Sequence, residues 1–207
     1  MAGIPQIQHY ALPAASDLPE NLVSWRLEPS RALLLIHDMQ NYFLSPLPAA
    51  LRDTLLARVA GLLGRCRAAG IPVAYTAHTG RMTREERGLL LDFWGPGMET
   101  TPADRDIADA VRPDEGDWLF AKWRYSAFHR TELLNKMRAA GKDQLILCGV
   151  YAHIGIQATA VEAYSNDIQA FLVADGVADF SERQHLQMLE YIAQCCGKIV
   201  VAEEALA

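Results

Sequence analysis

Four side chains able to move protons or hold anions lie close behind short apolar runs of this 207-residue chain: Asp38, His78, Lys122 and Tyr151. Residues 32–36 read ALLLI and end in His37, Asp38, Met39 and Gln40. A continuous apolar run with polar residues at its carboxyl end reads as a strand buried on both faces of a parallel sheet. Ligands of open α/β sheets sit outside the carboxyl ends of such strands. Asp38 therefore stands where chemistry is done, and its greasy strand end is expected to disfavour its charged form. The bland alternative is a turn cap. Residues 71–76 (IPVAYT) lead to His78, a strand at about 117–121 leads to Lys122, and residues 143–149 (DQLILCG) lead to Tyr151, His153 and Gly155. Parallel strands bring their ends to one edge of the sheet. An acid, an imidazole, a cation and a phenol would then line one cleft.

The elements that must position these groups follow from periodicity and punctuation. Residues 1–30, with Pro5, Pro13, Pro19 and Pro29, read as an extended arm wrapped on the domain or on a partner subunit. A helix is predicted over 51–69, closed by Gly70. Residues 77–102 form a long Gly/Pro-bearing segment with a short helix around 83–91 and the cluster Asp92-Phe93-Trp94-Gly95-Pro96-Gly97. Irregular segments of that length are often binding loops or lids. Further helices are predicted over 103–111 and 131–140. The turn 150–155 opens another helix that runs to about 165. A strand over 169–174 is followed by Asp175-Gly176, and Ser181 can cap a helix over 182–195 before a last strand at 198–202. Six strands alternate with helices and no repeat is present. The pattern predicts one α/β domain over 1–207: an open, mostly parallel six-stranded sheet with helices on both faces, a three-layer sandwich with right-handed crossovers.

Composition narrows the partners. A formal net charge of −6 and no basic run give no reason to expect nucleic acid or an anionic membrane. The amino terminus lacks the halves of a signal peptide, no apolar stretch approaches the length of a membrane span, and the expected compartment is the cytoplasm. Cys66, Cys148, Cys195 and Cys196 form neither a disulfide scaffold nor a zinc knuckle, and Cys148 reads as a buried structural thiol. There is no GxGxxG, no GxxxxGK, no HExxH and no GxSxG. His37, His78 and Asp38 together are a weak metal set, so no metal is expected.

Three stretches carry a family resemblance: LIHDMQ at 35–40, KWRYSAFH at 122–129 and GVYAHIG at 149–155. The chain resembles the isochorismatases of the cysteine-hydrolase-like superfamily from residue 4 to about 204. The resemblance implies the fold above, a homodimer, and hydrolysis of an enol-pyruvyl vinyl ether without metal or cofactor, on a chorismate-derived small molecule. YFLSPLP at 42–48 and RGLLLDFWGPGM at 87–98 look closer to the phenazine-pathway branch, which acts on 2-amino-2-deoxyisochorismate, than to the branch that feeds catechol siderophores. Members of the latter often carry a carrier-protein domain, and none is expected here. The superfamily's Asp–Lys–Cys set falls on Asp38, Lys122 and Gly155, so the thiol is absent and covalent acyl chemistry is disfavoured. A cis peptide is implied between Val150 and Tyr151. Position 78 is glutamine in the relatives this chain resembles, and here it is His78, which can titrate.

On that resemblance Asp38 is the acid that protonates the vinyl methylene carbon. Lys122 serves a substrate carboxylate or the ether oxygen. Arg87 is a second carboxylate partner, and His78 can donate to a carboxylate. Phe43, Trp94 and Tyr125 wall the ring, Tyr151 donates a hydrogen bond, and NH groups near Gly155 face an oxygen or water. Trp123 and Phe128 are left as contacts of the dimer.

Overall fold

The computed structural model describes residues 3–206. Six parallel strands form one sheet in the order β3-β2-β1-β4-β5-β6. They are β1 (Ala32–His37), β2 (Val73–Ala77), β3 (Trp118–Ala121), β4 (Gln144–Val150), β5 (Gln169–Ala178) and β6 (Gly197–Val200). Every residue of β1 is buried, as its unbroken apolar run requires of a central strand. Its residues alternate between two cores. Ala32, Leu34 and Ile36 pack with α2 (Ala49–Ala68) on one face. Leu33 and Leu35 face the other core, built with α6 (Leu133–Ala139), α7 (Gln157–Ser165) and α8 (Glu182–Cys195). Phe128 belongs to this second core. It is 6% exposed within the chain, so it packs in this core.

Strand order reverses between β1 and β4, where His37 pairs with Gly149. Crevices at such switch points bind ligands. Gly149 has φ 115°, and a Cβ there would lie 2.1 Å from the His37 carbonyl oxygen. Only glycine lets the two strand ends approach so closely. The Val150–Tyr151 peptide is cis, as the resemblance implies.

Around the crevice the chain departs from three expectations. The helix expected over 103–111 is two short turns, α5 (Pro102–Arg105) and a 3₁₀ turn at Asp109–Val111. Gln40 breaks it: its side chain donates to the Arg105 carbonyl at 2.6 Å and its backbone bridges Ile107. The helix expected over 83–91 is likewise split into α3 (Arg84–Arg87) and α4 (Leu90–Trp94), hinged at Gly88 with φ 50°. A four-residue turn, α1 (Asn41–Leu44), precedes α2. Strand β5 continues through Asp175-Gly176, which is an irregularity inside the strand and not a turn after it. Asp175 accepts the Ala202 N–H at 2.7 Å there.

The arm, described from residue 3, lies on its own chain. Ile7 and Tyr10 join the α2-side core. The Tyr10 hydroxyl accepts the Asp179 N–H at 2.7 Å and meets His185 Nδ1 at 3.1 Å. Lys198 donates to the Trp25 carbonyl at 2.6 Å.

Candidate active site

Asp38 leaves β1 in the left-handed region, φ 53°, a conformation aspartate tolerates better than most residues. The turn aims its carboxylate across the sheet edge. Oδ1 accepts the Thr76 hydroxyl at 2.6 Å. Oδ2 lies 3.0 Å from Lys122 Nζ, 3.5 Å from His78 Nε2 and 3.6 Å from His37 Nδ1. Register explains the meeting: His37 pairs with Thr76, and Ala77 pairs with Ala121, just before Lys122.

Asp38, Thr76, Lys122 and His37 are buried, and His78 is nearly so. Burial alone pushes the Asp38 carboxyl up, but His37, Lys122 and the contact from His78 outweigh it, and the carboxyl is held well below the carboxylate range. Burial holds His37 down to about 4 and lowers His78 from its ordinary value. Burial lowers Lys122 too, while the Asp38 charge and hydrogen bond work against that. The free site thus contains an ion pair. Lys122 Nζ at 3.0 Å thus works against the apolar strand end, which favours the neutral carboxyl.

His37 is fully buried, and its Nδ1–H donates to the Val150 carbonyl at 2.9 Å. Its ring occupies the space beside Gly155. A Cβ at residue 155 would lie 2.3 Å from His37 Cε1. A side chain there has no room, so the missing thiol and the neighbouring imidazole are one packing solution. Cys148 offers no replacement. It is fully buried in β4, with Sγ 3.6 Å from the Leu35 carbonyl and its pKa pushed well up by burial.

Asp38, His78, Lys122 and Gly155 open onto a cavity of about 730 Å³, its mouth included. Phe43, Arg87, Trp94, Tyr125 and Tyr151 line the same cavity, so every site residue expected from the sequence converges there. Arg87 is buried, donates Nε–H to the Gly95 carbonyl at 2.8 Å, and packs on Gly97, where a Cβ would meet the guanidinium at 2.7 Å. Trp94 donates to the Tyr125 hydroxyl at 2.9 Å. The Tyr151 hydroxyl donates to the Phe43 carbonyl, so it clamps the wall and is not the free donor expected. His153, grouped with the strand-end residues in sequence, bonds the buried Asp179 and does not line the cavity.

Thr76, Phe180, Arg124 and Ile154 were not foreseen. Thr76 was legible as a polar residue near the end of a buried strand. Phe180, which stacks against Tyr151 at 4.7 Å and Trp94 at 5.8 Å, carried no local signal. No group of three or more His, Cys, Asp or Glu residues is arranged to hold a metal among the described residues.

The family model for the isochorismatase domain matches residues 32–204. A phenazine biosynthesis protein of Pseudomonas aeruginosa, PhzD1, is 57% identical over 206 residues, covering all of both chains. An isochorismatase of Bacillus subtilis is 49% identical over 98% of this chain and 66% of its own. A cysteine hydrolase from Pseudomonas syringae has a similar fold, with a TM-score of 0.82 at 23% identity over 90% of this chain and 96% of its own.

Proposed function

Because this chain belongs to the isochorismatase family, we propose that it hydrolyses the enol-pyruvyl vinyl ether of 2-amino-2-deoxyisochorismate. The products are pyruvate and trans-2,3-dihydro-3-hydroxyanthranilate. The observation that carries the reading is the buried Asp38–Lys122 pair at the floor of a cavity that also holds Arg87. Two cations offer partners for two substrate carboxylates, with Arg supplying a planar fork. The aromatic wall of Phe43, Trp94 and Tyr125 suits a six-membered ring.

Carbon protonation is the slow step of vinyl ether hydrolysis, so a positioned acid is the main requirement. Asp38 is ionised in the free site. A dianionic substrate pairs with Lys122 and brings negative charge near the carboxylate, and both effects raise its affinity for a proton. The carboxylic acid then protonates the methylene carbon. Water attacks the resulting oxocarbenium ion, and the hemiketal collapses to pyruvate and the ring alcohol. Water is the sole co-reactant, and Asp38, Lys122 and Gly155 form the reacting floor. His78, Arg87 and Tyr151 complete the walls.

A second reading, isochorismate as substrate, is favoured by the Bacillus subtilis relative's name. We also infer a single catalytic unit over residues 1–207 working in the cytoplasm as a homodimer. No helix among the described residues is long and apolar enough to cross a membrane. Leu119 on edge strand β3 and Tyr164 on α7, 61% and 56% exposed, supply apolar surface for a second copy.

The test is pyruvate release, coupled to lactate dehydrogenase, with each of the two substrates. The amino substrate is expected to turn over faster. Asp38→Asn is expected to lose about 10²- to 10⁴-fold in kcat while still binding substrate. Normal pyruvate release by that variant would overturn the assignment.

A further inference from the structure

We propose that Asp179 is a positioning residue of this site: from behind the cavity its carboxylate ties Phe180 of the wall to the 151–155 turn, and Tyr10 of the amino-terminal arm holds the Asp179 backbone from outside. The proposal rests on the vinyl ether reading and deepens it. Strands β4 and β5 end side by side, with Val150 paired to Ala178. The next residues are Tyr151 and Asp179. The turn that starts at Tyr151 gives the cavity Ile154 and Gly155, and the residue after Asp179 gives it Phe180.

Asp179 itself does not line the cavity and is fully buried. A buried carboxylate is costly unless donors surround it. Asp179 has three. Oδ2 accepts the His153 N–H at 2.8 Å. Oδ1 accepts the His153 Nδ1–H at 2.5 Å and the Phe180 N–H at 2.8 Å. Backbone N–H groups bonded to a carboxylate are among the stronger hydrogen bonds of a protein. One side chain thus fixes the backbone at both strand ends. The Phe180 ring then packs on Tyr151, His153 and Trp94, with centroids 4.7, 5.1 and 5.8 Å away. Tyr151 and Trp94 line the cavity as well, so the aromatic wall is a unit whose anchor lies behind it.

The arm braces that anchor. His185 Nε2–H donates to the Ala174 carbonyl at 3.1 Å, which leaves Nδ1 to accept from the Tyr10 hydroxyl at 3.1 Å. Burial pushes the Tyr10 phenol up from its ordinary value, so it keeps the proton it donates. The same hydroxyl accepts the Asp179 N–H at 2.7 Å. Ile4 lines the cavity, so the arm meets the site at two points.

An asparagine at 179 keeps the shape but has one accepting oxygen in place of two, and its amide nitrogen faces a donor. Phe180 carries no group that moves protons. The consequence of loosening it therefore falls on KM more than on kcat.

The test is a double-mutant cycle on pyruvate release from 2-amino-2-deoxyisochorismate, with wild type, Asp179→Asn, Phe180→Leu and the pair. Asp179→Asn is expected to raise KM about tenfold, with kcat lowered about twofold or less. Because Asp179 acts through the wall, the pair is expected to fall short of the product of the two single KM effects by about threefold or more. Tyr10→Phe removes one hydroxyl outside the cavity and carries the test if Asp179→Asn does not fold. It is expected to raise KM about threefold, with the same overlap with Phe180→Leu. A merely structural role lowers urea midpoints and leaves the KM effects independent. Isochorismate binding to Asp38→Asn protein, with and without Asp179→Asn, reads the same contrast free of turnover. Unchanged KM in folded Asp179→Asn and Tyr10→Phe, or single effects that multiply, would overturn the positioning role. That result leaves the hydrolase reading intact as long as the wild type releases pyruvate. No pyruvate from the wild type overturns the hydrolase reading instead, and the binding contrast then decides the role of Asp179 by itself.

Discussion

Two residues at one point of the sheet, Gly155 and His37, decide what chemistry the site excludes. The imidazole fills the volume that a side chain at 155 needs, with 2.3 Å between the would-be Cβ and Cε1. Both sit in close-packed surroundings where overpacking is costly. Gly155→Ala is expected to lose about 2 kcal/mol of stability in urea unfolding. In a His37→Ala background the same change is expected to cost less than half as much, because the emptied space accepts the methyl. Equal costs in the two backgrounds would mean that the imidazole is not the obstacle. Asp38 carries a lesson of the same kind. Its strand end is as apolar as its sequence context suggests, yet adjacent His37 and Lys122, 84 positions away in the chain, pull its carboxyl towards the charged form. Local hydrophobicity reports the burial of Asp38, and the cation beside it follows from parallel strands bringing their ends to one edge.

At the scale of elements, the lid side of the cavity depends on two short turns. Thr83 and Glu86 form a capping box: the Glu86 N–H donates to the Thr83 hydroxyl at 3.2 Å and the Thr83 N–H to Glu86 Oε2 at 2.8 Å. The box starts α3, whose last residue, Arg87, reaches into the cavity. So short a helix owes little to propensity, and its cap is a large share of its stability. Thr83→Ala is expected to cost about 1 kcal/mol locally, read as faster amide exchange across 84–88 and a several-fold rise in KM. Unchanged exchange and KM would show that the loop is held by Arg87 and Gly97 alone. The sequence places a helix here but not its break at Gly88. The break at 106–108 is less legible still, since it comes from Gln40 reaching across from the end of β1.

For the whole molecule, two fully buried imidazoles couple folding to pH. His37 sits at the sheet edge, and His185 in α8 joins the arm through Tyr10. Burial lowers both to about 4. Each folded value is below the unfolded value of about 6.5, so the unfolded chain binds more protons between them. Their contribution is therefore fully present above about pH 6.5 and is lost as pH falls towards 4. The expected loss is about 3 kcal/mol for each. Urea midpoints measured from pH 7 down to 4.5 check this. A flat profile would mean that the rings are charged in the folded state or that the fold opens around them. His185→Gln is expected to flatten part of the slope, and it also weakens the tie that holds the arm to α8.

Much of this architecture was written in the order of the residues. Continuous apolar runs such as 32–36 and 145–150 can be satisfied only by strands covered on both faces, and polar residues just past them can only gather at one edge. Those local rules suffice for the parallel sheet, for the helices on both sides, and for the convergence of Asp38, His78 and Lys122. Charge states, hydrogen-bond commitments and available space depend instead on atoms far apart in the chain. The ionised Asp38, the occupied Tyr151 hydroxyl, the Phe180 wall and the three hydrogen bonds on Asp179 each exist because folding sets distant groups within a few ångströms of one another. No local pattern encodes such distances.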